Sequence, residues 1–224
     1  MSNISPIDGR YKKNVSELET FFSEQALMRH RVMVEVEYLL ALVEHRSFQK
    51  TRALSKKTLN SLKGLYVEFS ATHFKQIKKI EKKTNHDVNA VVVFVSEKLK
   101  KIGRADLVPF VHFGLTSEDI NNISYSLMAQ GAVDNVMIPH VKGVLKELKA
   151  LSKKTKSLSL LSLTHGQPAT TTTLGKELAV FVSRVEREIA LIKKMKLLAK
   201  LSGATGSYAD RKSTRLNSSH LLIS

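Results

Sequence analysis

The stretch SEQALMRHRVMVEVEYLLALVEHRSF, residues 23–48, decides the fold class of this 224-residue chain. Its apolar side chains recur at helical spacing, uninterrupted by glycine or proline: Leu27, Val34, Tyr38, Leu39 and Leu42. The pattern predicts one long helix from Ser23 to about Phe48. Residues 54–80 continue helically, so we expect a second helical stretch that packs against the first.

The rest of the chain repeats this signal. Residues 88–99 contain a valine run with strand propensity, but their apolar side chains form a single helical stripe, which favours a helix. After a loop marked by Gly103 and Pro109, a helix is expected from Thr116 to about Lys149, interrupted or kinked at Pro139. A last helix is expected from about Thr171 to Leu201, ended by Gly203 and Gly206. The predicted fold class is therefore all-α.

Composition excludes several classes of function. The chain has no cysteine, which rules out thiolate catalysis, thiolate metal ligands and disulfides. No apolar run approaches the roughly 20 residues that span a bilayer, so we expect no membrane partner and a cytoplasmic location. The formal charge of +16 attracts anions. Its lysines are spread along the chain with few aromatic residues among them, which argues against specific nucleic-acid binding.

Three polar clusters stand out from the helical background: SPIDGRY at residues 5–11, TNHD at 84–87 and LTHGQP at 163–168. Each precedes a helical pattern, where unpaired backbone N–H groups and the helix dipole favour negative charge. We interpret them as one anion-binding site that is split along the sequence. Two helix starts also carry a capping signal, Thr84-x-x-Asp87 and Thr116-x-x-Asp119.

Four motifs together closely resemble the N-terminal part of bacterial-type adenylosuccinate lyases: SPxDGRY from Ser5, TNHDV from Thr84, TSEDINN from Thr116 and THGQPAT from Thr164. The resemblance covers residues 5–208, about half of a typical family member. It implies membership of the fumarase and aspartase superfamily, whose proteins are mostly helical homotetramers with active sites assembled from three subunits. It also implies an N-terminal helical domain over residues 1–115 and the first helices of a central long-helix bundle over 116–210.

The same resemblance implies a function and a set of roles. The family cleaves adenylosuccinate to AMP and fumarate, and also cleaves succinyl-carboxamide imidazole ribotide in purine synthesis, without a cofactor or metal. His165 is expected to be the general acid, since imidazole can carry and release a proton near neutral pH. His86 is expected near the reacting groups. The other matched positions are expected to bind substrate: Arg10, Tyr11, Asn85, Asp87, Thr116, Ser117 and Gln167.

Five further histidines match no motif and are expected to be structural: His30, His45, His73, His112 and His140. The chain lacks the family's downstream loop of the form Ser-Ser-x-Met-Pro-x-Lys-x-Asn, which carries the catalytic base, so we expect it to be inactive. Residues 211–224 have no acidic residue and no periodicity, and they resemble translated sequencing-adapter readthrough. We therefore expect a non-native tail after Asp210 and an N-terminal fragment.

Two alternatives remain at this point. Another lyase of the superfamily, such as argininosuccinate lyase or fumarase, would share the general pattern. Arg10-Tyr11 and Asn85-His86-Asp87 favour a nucleotide substrate over these. A basic helical module that binds nucleic acid or an acidic protein is supported only by the charge, and its binding should weaken steeply with salt.

Overall fold

The computed structural model describes residues 5–45 and 54–207. The chain divides into two compact units. Unit 1 is residues 1–130 together with 198–224, and unit 2 is residues 131–197. The domain boundary expected at residue 115 from the family resemblance stays a prediction.

Unit 1 begins with a 3₁₀ helix, Lys12–Leu18, and a short helix α1, Glu19–Phe22. Helix α2, Glu24–Glu44, follows as predicted, and the Ser23 hydroxyl caps it by accepting from the Ala26 N–H at 3.1 Å. Residues 46–48 of the predicted helix lie outside the described residues. Buried side chains occur on every face of α2, so it is the central helix of the unit.

The single helical stretch expected over residues 54–80 is wrong in one respect. The structure has two helices, α3 at Lys56–Val67 and α4 at Ala71–Thr84. Ser70 is extended between them and forms a capping box with His73, so its side chain and backbone start a new helix. Helix periodicity alone does not reveal this break, because the apolar spacing is helical on both sides of it and both helices bury apolar side chains.

Helix α5, Asp87–Lys101, confirms the choice of helix over strand for the valine run. A 3₁₀ helix, Ala105–Phe110, occupies the predicted loop and contains Pro109. Helix α6 is Ser117–Ala132. Helices α2 to α5 enclose the core of unit 1, in which each fully buried side chain contributes about 1.5–3 kcal/mol; its members include Met28, Val32, Leu39, Leu62, Ile77, Phe94 and Leu99.

In unit 2 the interruption predicted at Pro139 is a π-helical segment, Val133–Met137. Helix α7, Ile138–Lys154, follows without a break in the helical backbone and has Pro139 in its first turn. The wider π-type bond from the Ile138 N–H to the Val133 carbonyl lies beside the proline, which cannot donate and crowds the preceding turn. Helix α8, Leu174–Lys194, packs along α7. Between them lies an antiparallel hairpin, β1 at Ser159–Thr164 and β2 at Gln167–Thr173, with Leu160 opposite Thr172.

The hairpin departs from the all-α expectation, and the last helix is shorter than predicted at both ends. Threonines at positions 170–173 are β-branched and extend as strand, and Thr173 caps α8 by accepting from the Lys176 N–H at 3.2 Å. The helix ends at Lys194 rather than near Leu201, so Gly203 and Gly206 do not end it. Side chains of α6 bind the chain after residue 197 instead: Asn122 bonds to both backbone groups of Lys200, and Asp119 accepts from the Gly203 N–H at 2.9 Å.

Candidate active site

An open cleft of about 930 Å³ lies in unit 1 between the start of α5 and the segment that leads into α6. We call it the His86 cleft. It brings together three of the residues predicted from sequence, His86, Thr116 and Ser117, although they come from two separate motifs. The full lining is His86, Asn89, Val92, Pro109, Val111, His112, Phe113, Gly114, Leu115, Thr116 and Ser117.

His86 has its ring orientation set by the helix that it begins. It is the N-cap of α5, and its Nδ1 accepts from the Asn89 N–H at 3.2 Å. A neutral imidazole that accepts at Nδ1 must carry its proton on Nε2. That nitrogen lies 3.5 Å from the Ser117 hydroxyl oxygen. His86 therefore presents a hydrogen-bond donor toward the cleft, next to a hydroxyl at the start of α6.

This arrangement corrects the predicted capping role of Thr84. Thr84 is the last residue of α4, and its hydroxyl bonds to carbonyl oxygens, including that of His86 at 3.2 Å. The second capping signal is half right. The Asp119 carboxylate accepts from the Thr116 N–H at 3.0 Å, but the Thr116 hydroxyl donates to that carboxylate at 3.2 Å instead of capping a backbone N–H.

Asn85 and Asp87 flank His86 and line a neighbouring cavity of about 580 Å³ with Lys78, Glu81 and Lys82. Asn85 ends α4 in the left-handed conformation at φ 50°, which asparagine tolerates better than most residues. This tight link between α4 and α5 places Asn85 and His86, both exposed, at a helix junction.

A buried cation holds Asp87. The guanidinium of Arg31, which is 3% exposed, lies 2.7 Å from the Asp87 carboxylate and donates through Nε to Asn121 at 2.9 Å. Burial opposes ionisation of Asp87, but the Val88 N–H and the Arg31 charge outweigh it, so its pKa lies below the ordinary 3.8. Arg31 thereby joins α2 to the starts of α5 and α6.

Sequence reasoning missed His112, which was expected to be structural. It lines the His86 cleft with its side chain 22% exposed. Its backbone is left-handed at φ 60°, as is that of Gly114 at φ 69°. A usable signal was its position four residues before the TSEDINN motif and two residues before Gly114, a glycine that permits a tight turn. No helical or strand pattern covers that segment, so periodicity could not identify it.

The structure does not join the first motif to the His86 cleft. Arg10 and Tyr11 follow a turn in which the Tyr11 N–H donates to the Pro6 carbonyl at 2.9 Å. The Arg10 guanidinium lies 5.5 Å from the centre of the Tyr11 ring, and both side chains are exposed. Neither lines the His86 cleft or its neighbour.

His165 and Gln167 belong to unit 2. His165 and Gly166 form the two-residue turn between β1 and β2, with φ values of 51° and 77°. Positive φ at both turn positions is the geometry of a type I′ hairpin, which suits the twist of the strands. The prediction that this motif precedes a helix is wrong, because α8 begins only at Leu174. The hairpin displays the His165 ring on an exposed tip, with Gln167 paired to Thr164 at its base.

Within residues 5–45 and 54–207, no group of three or more histidine, aspartate or glutamate side chains could hold a metal ion. Over the same residues, no helix is long and apolar enough to cross a bilayer.

Comparison with known proteins decides the family. A family model described as "Lyase" matches residues 9–220. The chain belongs to this lyase family. The match extends into residues 211–220 of the suspected tail, which lies outside the described residues, so the origin of that segment stays a prediction.

Members of the lyase family with closely related sequences carry the name that the four motifs suggested. The chain is 40% identical over 209 residues to the adenylosuccinate lyase of Escherichia coli K12, covering 93% of this chain and 46% of that protein. It is 42% identical over 212 residues to the adenylosuccinate lyase of Dictyostelium discoideum, covering 92% and 46%. The motif-based resemblance is therefore confirmed, and the chain spans about half the length of the curated relatives it matches.

Solved structures of two other enzymes share the fold. A fumarate lyase from Mesorhizobium sp. BNC1 superposes with a TM-score of 0.65 at 19% identity, over 87% of this chain and 44% of that one. A beta-carboxy-cis,cis-muconate cycloisomerase from Acinetobacter calcoaceticus gives 0.63 at 21%, over 87% and 44%. These likenesses confirm the predominantly helical fold class.

Proposed function

We propose that this chain is the N-terminal part of an adenylosuccinate lyase. The enzyme would release fumarate from adenylosuccinate, giving AMP, and from succinyl-carboxamide imidazole ribotide in purine nucleotide biosynthesis. The observation that carries the proposal is the identity of about 40% to adenylosuccinate lyases across nearly the whole chain. By the same likeness we propose a cytoplasmic homotetramer that uses no cofactor.

The reaction is a β-elimination. A base removes a proton from Cβ of the succinyl group, and the negative charge that develops spreads into the adjacent carboxylate. The carbon–nitrogen bond then breaks as an acid protonates the leaving nitrogen. The site must therefore provide a base, an acid, and donors that stabilise the charged carboxylate.

Unit 1 supplies donors of the required kind. His86 turns its Nε2–H toward the His86 cleft, and the hydroxyls of Ser117 and Thr116 lie at the start of α6. N–H groups in the first turn of a helix favour an anion, and two helices begin at this cleft. We assign the cleft to the succinyl carboxylates and His86 to their binding near the reacting atoms.

Unit 2 supplies the acid in this proposal. His165 occupies an exposed turn in a rigid two-residue geometry, which leaves its ring free of the packed helices and available to a leaving group. Gln167 and the adjacent Pro168 stiffen the start of β2. Arg10 and Tyr11 are assigned to the nucleotide, for which a guanidinium offers paired donors to phosphate.

The test uses the protein encoded by the native gene (the native polypeptide) and monitors the release of fumarate by its absorbance. We expect release from adenylosuccinate and none from argininosuccinate. His165→Gln should lower kcat by roughly 10²–10⁴-fold, the usual contribution of a positioned general acid. His140→Gln is the matched control in the same unit, because His140 is an exposed residue of α7 outside every motif, and its kcat should be unchanged.

The proposal is overturned if the native polypeptide releases fumarate from argininosuccinate but not from adenylosuccinate, or if His165→Gln keeps full activity. The 224-residue chain alone should release no fumarate above background, because the base-bearing loop of the family is missing from it. Turnover at the rate of the native polypeptide, in a sample free of host enzyme, would contradict that expectation.

A further inference from the structure

Glu35 is a fully buried carboxylate on α2 that none of the motifs includes. Its side chain is 0% exposed, and Oε1 lies 2.6 Å from Nδ1 of His112, a residue 77 positions later in the chain. Its second oxygen, Oε2, has no hydrogen-bond partner among the described residues. Burying a carboxylate with only one hydrogen-bond partner costs folding free energy, so a functional role is a reason for Glu35 to occupy this position.

His112 carries a second irregularity. Its backbone is left-handed at φ 60°, a conformation that costs a residue with a side chain about 1 kcal/mol or more. The same residue lines the His86 cleft. The backbone strain and the buried partner both act on one imidazole, and both help to set the direction in which its ring points.

The support for this ring comes from one stripe of α2. Arg31, Glu35 and Tyr38 are spaced at i, i+4 and i+7, so their side chains leave the same face of the helix. Arg31 holds Asp87, Glu35 holds His112, and the Tyr38 hydroxyl donates to the Phe113 carbonyl at 2.9 Å. The stripe therefore contacts the first residue of α5, next to His86, and the segment at His112 and Phe113 that lines the His86 cleft.

We propose that Glu35 is a positioning residue that orients His112 for substrate binding. An ionised carboxylate can only accept, so the Nδ1 facing it carries a proton. Nε2 is then the ring nitrogen that remains for a ligand in the His86 cleft. This inference rests on the proposed function for the identity of the ligand, the dicarboxylate nucleotide adenylosuccinate, but the ring orientation itself does not depend on it.

The first experiment measures the orientation directly in this chain. Long-range ¹H–¹⁵N spectra at neutral to slightly alkaline pH distinguish a protonated from an unprotonated Nδ1, and the His112→Gln variant assigns the signal. We expect a protonated Nδ1 in the wild type and in Glu35→Gln, whose amide oxygen can still accept. Glu35→Met has nearly the same shape but no acceptor, and the Nδ1–H signature should be lost or averaged.

The matched control is Glu37→Met, on the same helix. Glu37 hydrogen-bonds to Tyr66 and does not line the His86 cleft, so the His112 signal should not change. If Glu35→Met leaves the Nδ1–H signature intact, or if Glu37→Met removes it equally, Glu35 does not position the ring and the proposal is wrong.

The second experiment measures the consequence in the native-gene polypeptide. Glu35→Met should lower kcat/KM for adenylosuccinate roughly tenfold or more, as losses of orienting partners do at metal sites, while Glu35→Gln restores most of it. A purely structural role predicts the reverse, a lower unfolding midpoint with unchanged kcat/KM per folded enzyme, and would overturn the proposal. If the wild type does not act on adenylosuccinate, the proposed function fails, and the spectra still decide the role of Glu35.

Discussion

Gly175→Ala should destabilise unit 2, because a methyl group has no room at the base of the hairpin that carries His165. Gly175 lies in the first turn of α8, and its N–H donates to the Thr155 carbonyl at 3.1 Å. A Cβ at this position would lie 2.6 Å from Cα and 2.7 Å from N of Lys156, and closer still to the Ser152 carbonyl oxygen. All three are backbone atoms, which cannot rotate away.

The magnitude follows from three contributions. Forcing a methyl group into a packed contact costs about 1–3 kcal/mol. Separating the helices also weakens the bond that the Ser152 hydroxyl donates to the Gly175 carbonyl at 2.6 Å, worth about 1 kcal/mol. Alanine regains up to about 1 kcal/mol of helix propensity. The net expectation is a loss of about 2 kcal/mol in the free energy of unfolding of unit 2.

Gly143→Ala is the matched control. Gly143 is an exposed interior residue of α7, and a Cβ there would meet nothing within 4 Å. The same chemical change should therefore stabilise by about 0.5–1 kcal/mol. The two variants differ in sign because only one of the two glycines is a close-contact site.

The chain provides an internal reference for the assay. It has no tryptophan, and the four tyrosines among the described residues, Tyr11, Tyr38, Tyr66 and Tyr125, lie in unit 1, so tyrosine fluorescence during urea unfolding reports unit 1. Hydrogen exchange of peptides from residues 131–197 reports unit 2. We expect Gly175→Ala to speed exchange in unit 2 and to leave the fluorescence midpoint unchanged. Unchanged exchange around residues 152–175, or equal destabilisation by Gly143→Ala, would refute the reasoning.

Three further predictions concern charges in unit 1. Arg31→Met should lower the free energy of unfolding in urea by about 2 kcal/mol, because it leaves Asp87 without its buried cation. Arg29→Met is the control on the same helix, and since Arg29 is only weakly bonded it should have little effect. Equal losses of stability in the two variants would contradict this prediction. Because the pKa of Asp87 is lowered, its charge stabilises the fold above pH 3.8, and this stabilisation disappears as pH falls through the folded pKa. Asp87→Asn should therefore flatten the acid side of the curve of stability against pH, and an unchanged slope would refute this prediction. Burial, and then the charge of Lys98, lowers the pKa of His73 below 6.5. The neutral ring that caps α4 therefore stabilises the fold above pH 6.5, and this stabilisation is lost as pH falls through the folded pKa. His73→Gln keeps a capping side chain and should remove the loss of stability between about pH 7 and 5; a variant as acid-sensitive as the wild type would disprove this.

Local patterns predicted most of the helices and the interruption near Pro139, but not every break. Helix periodicity correctly identified α2 and α5, because the apolar spacing of a helix is written in consecutive residues. It missed the break at Ser70 and the hairpin around His165, since a two-residue His-Gly turn lacks the usual asparagine or aspartate signal. Both errors occur where a few residues of turn or cap chemistry overrule a longer pattern.

The sequence by itself determined the family and the helical class, since motifs and periodicity are properties of neighbouring residues. Only the tertiary structure decided which side chains share the His86 cleft: Ser117 meets His86 across 31 positions, and Glu35 meets His112 across 77. Such pairs depend on how helices pack, and packing is set by the whole core at once. For that reason Glu35 appears in the sequence as one more polar residue of a helix, while in the fold it is a buried carboxylate behind the wall of a cleft.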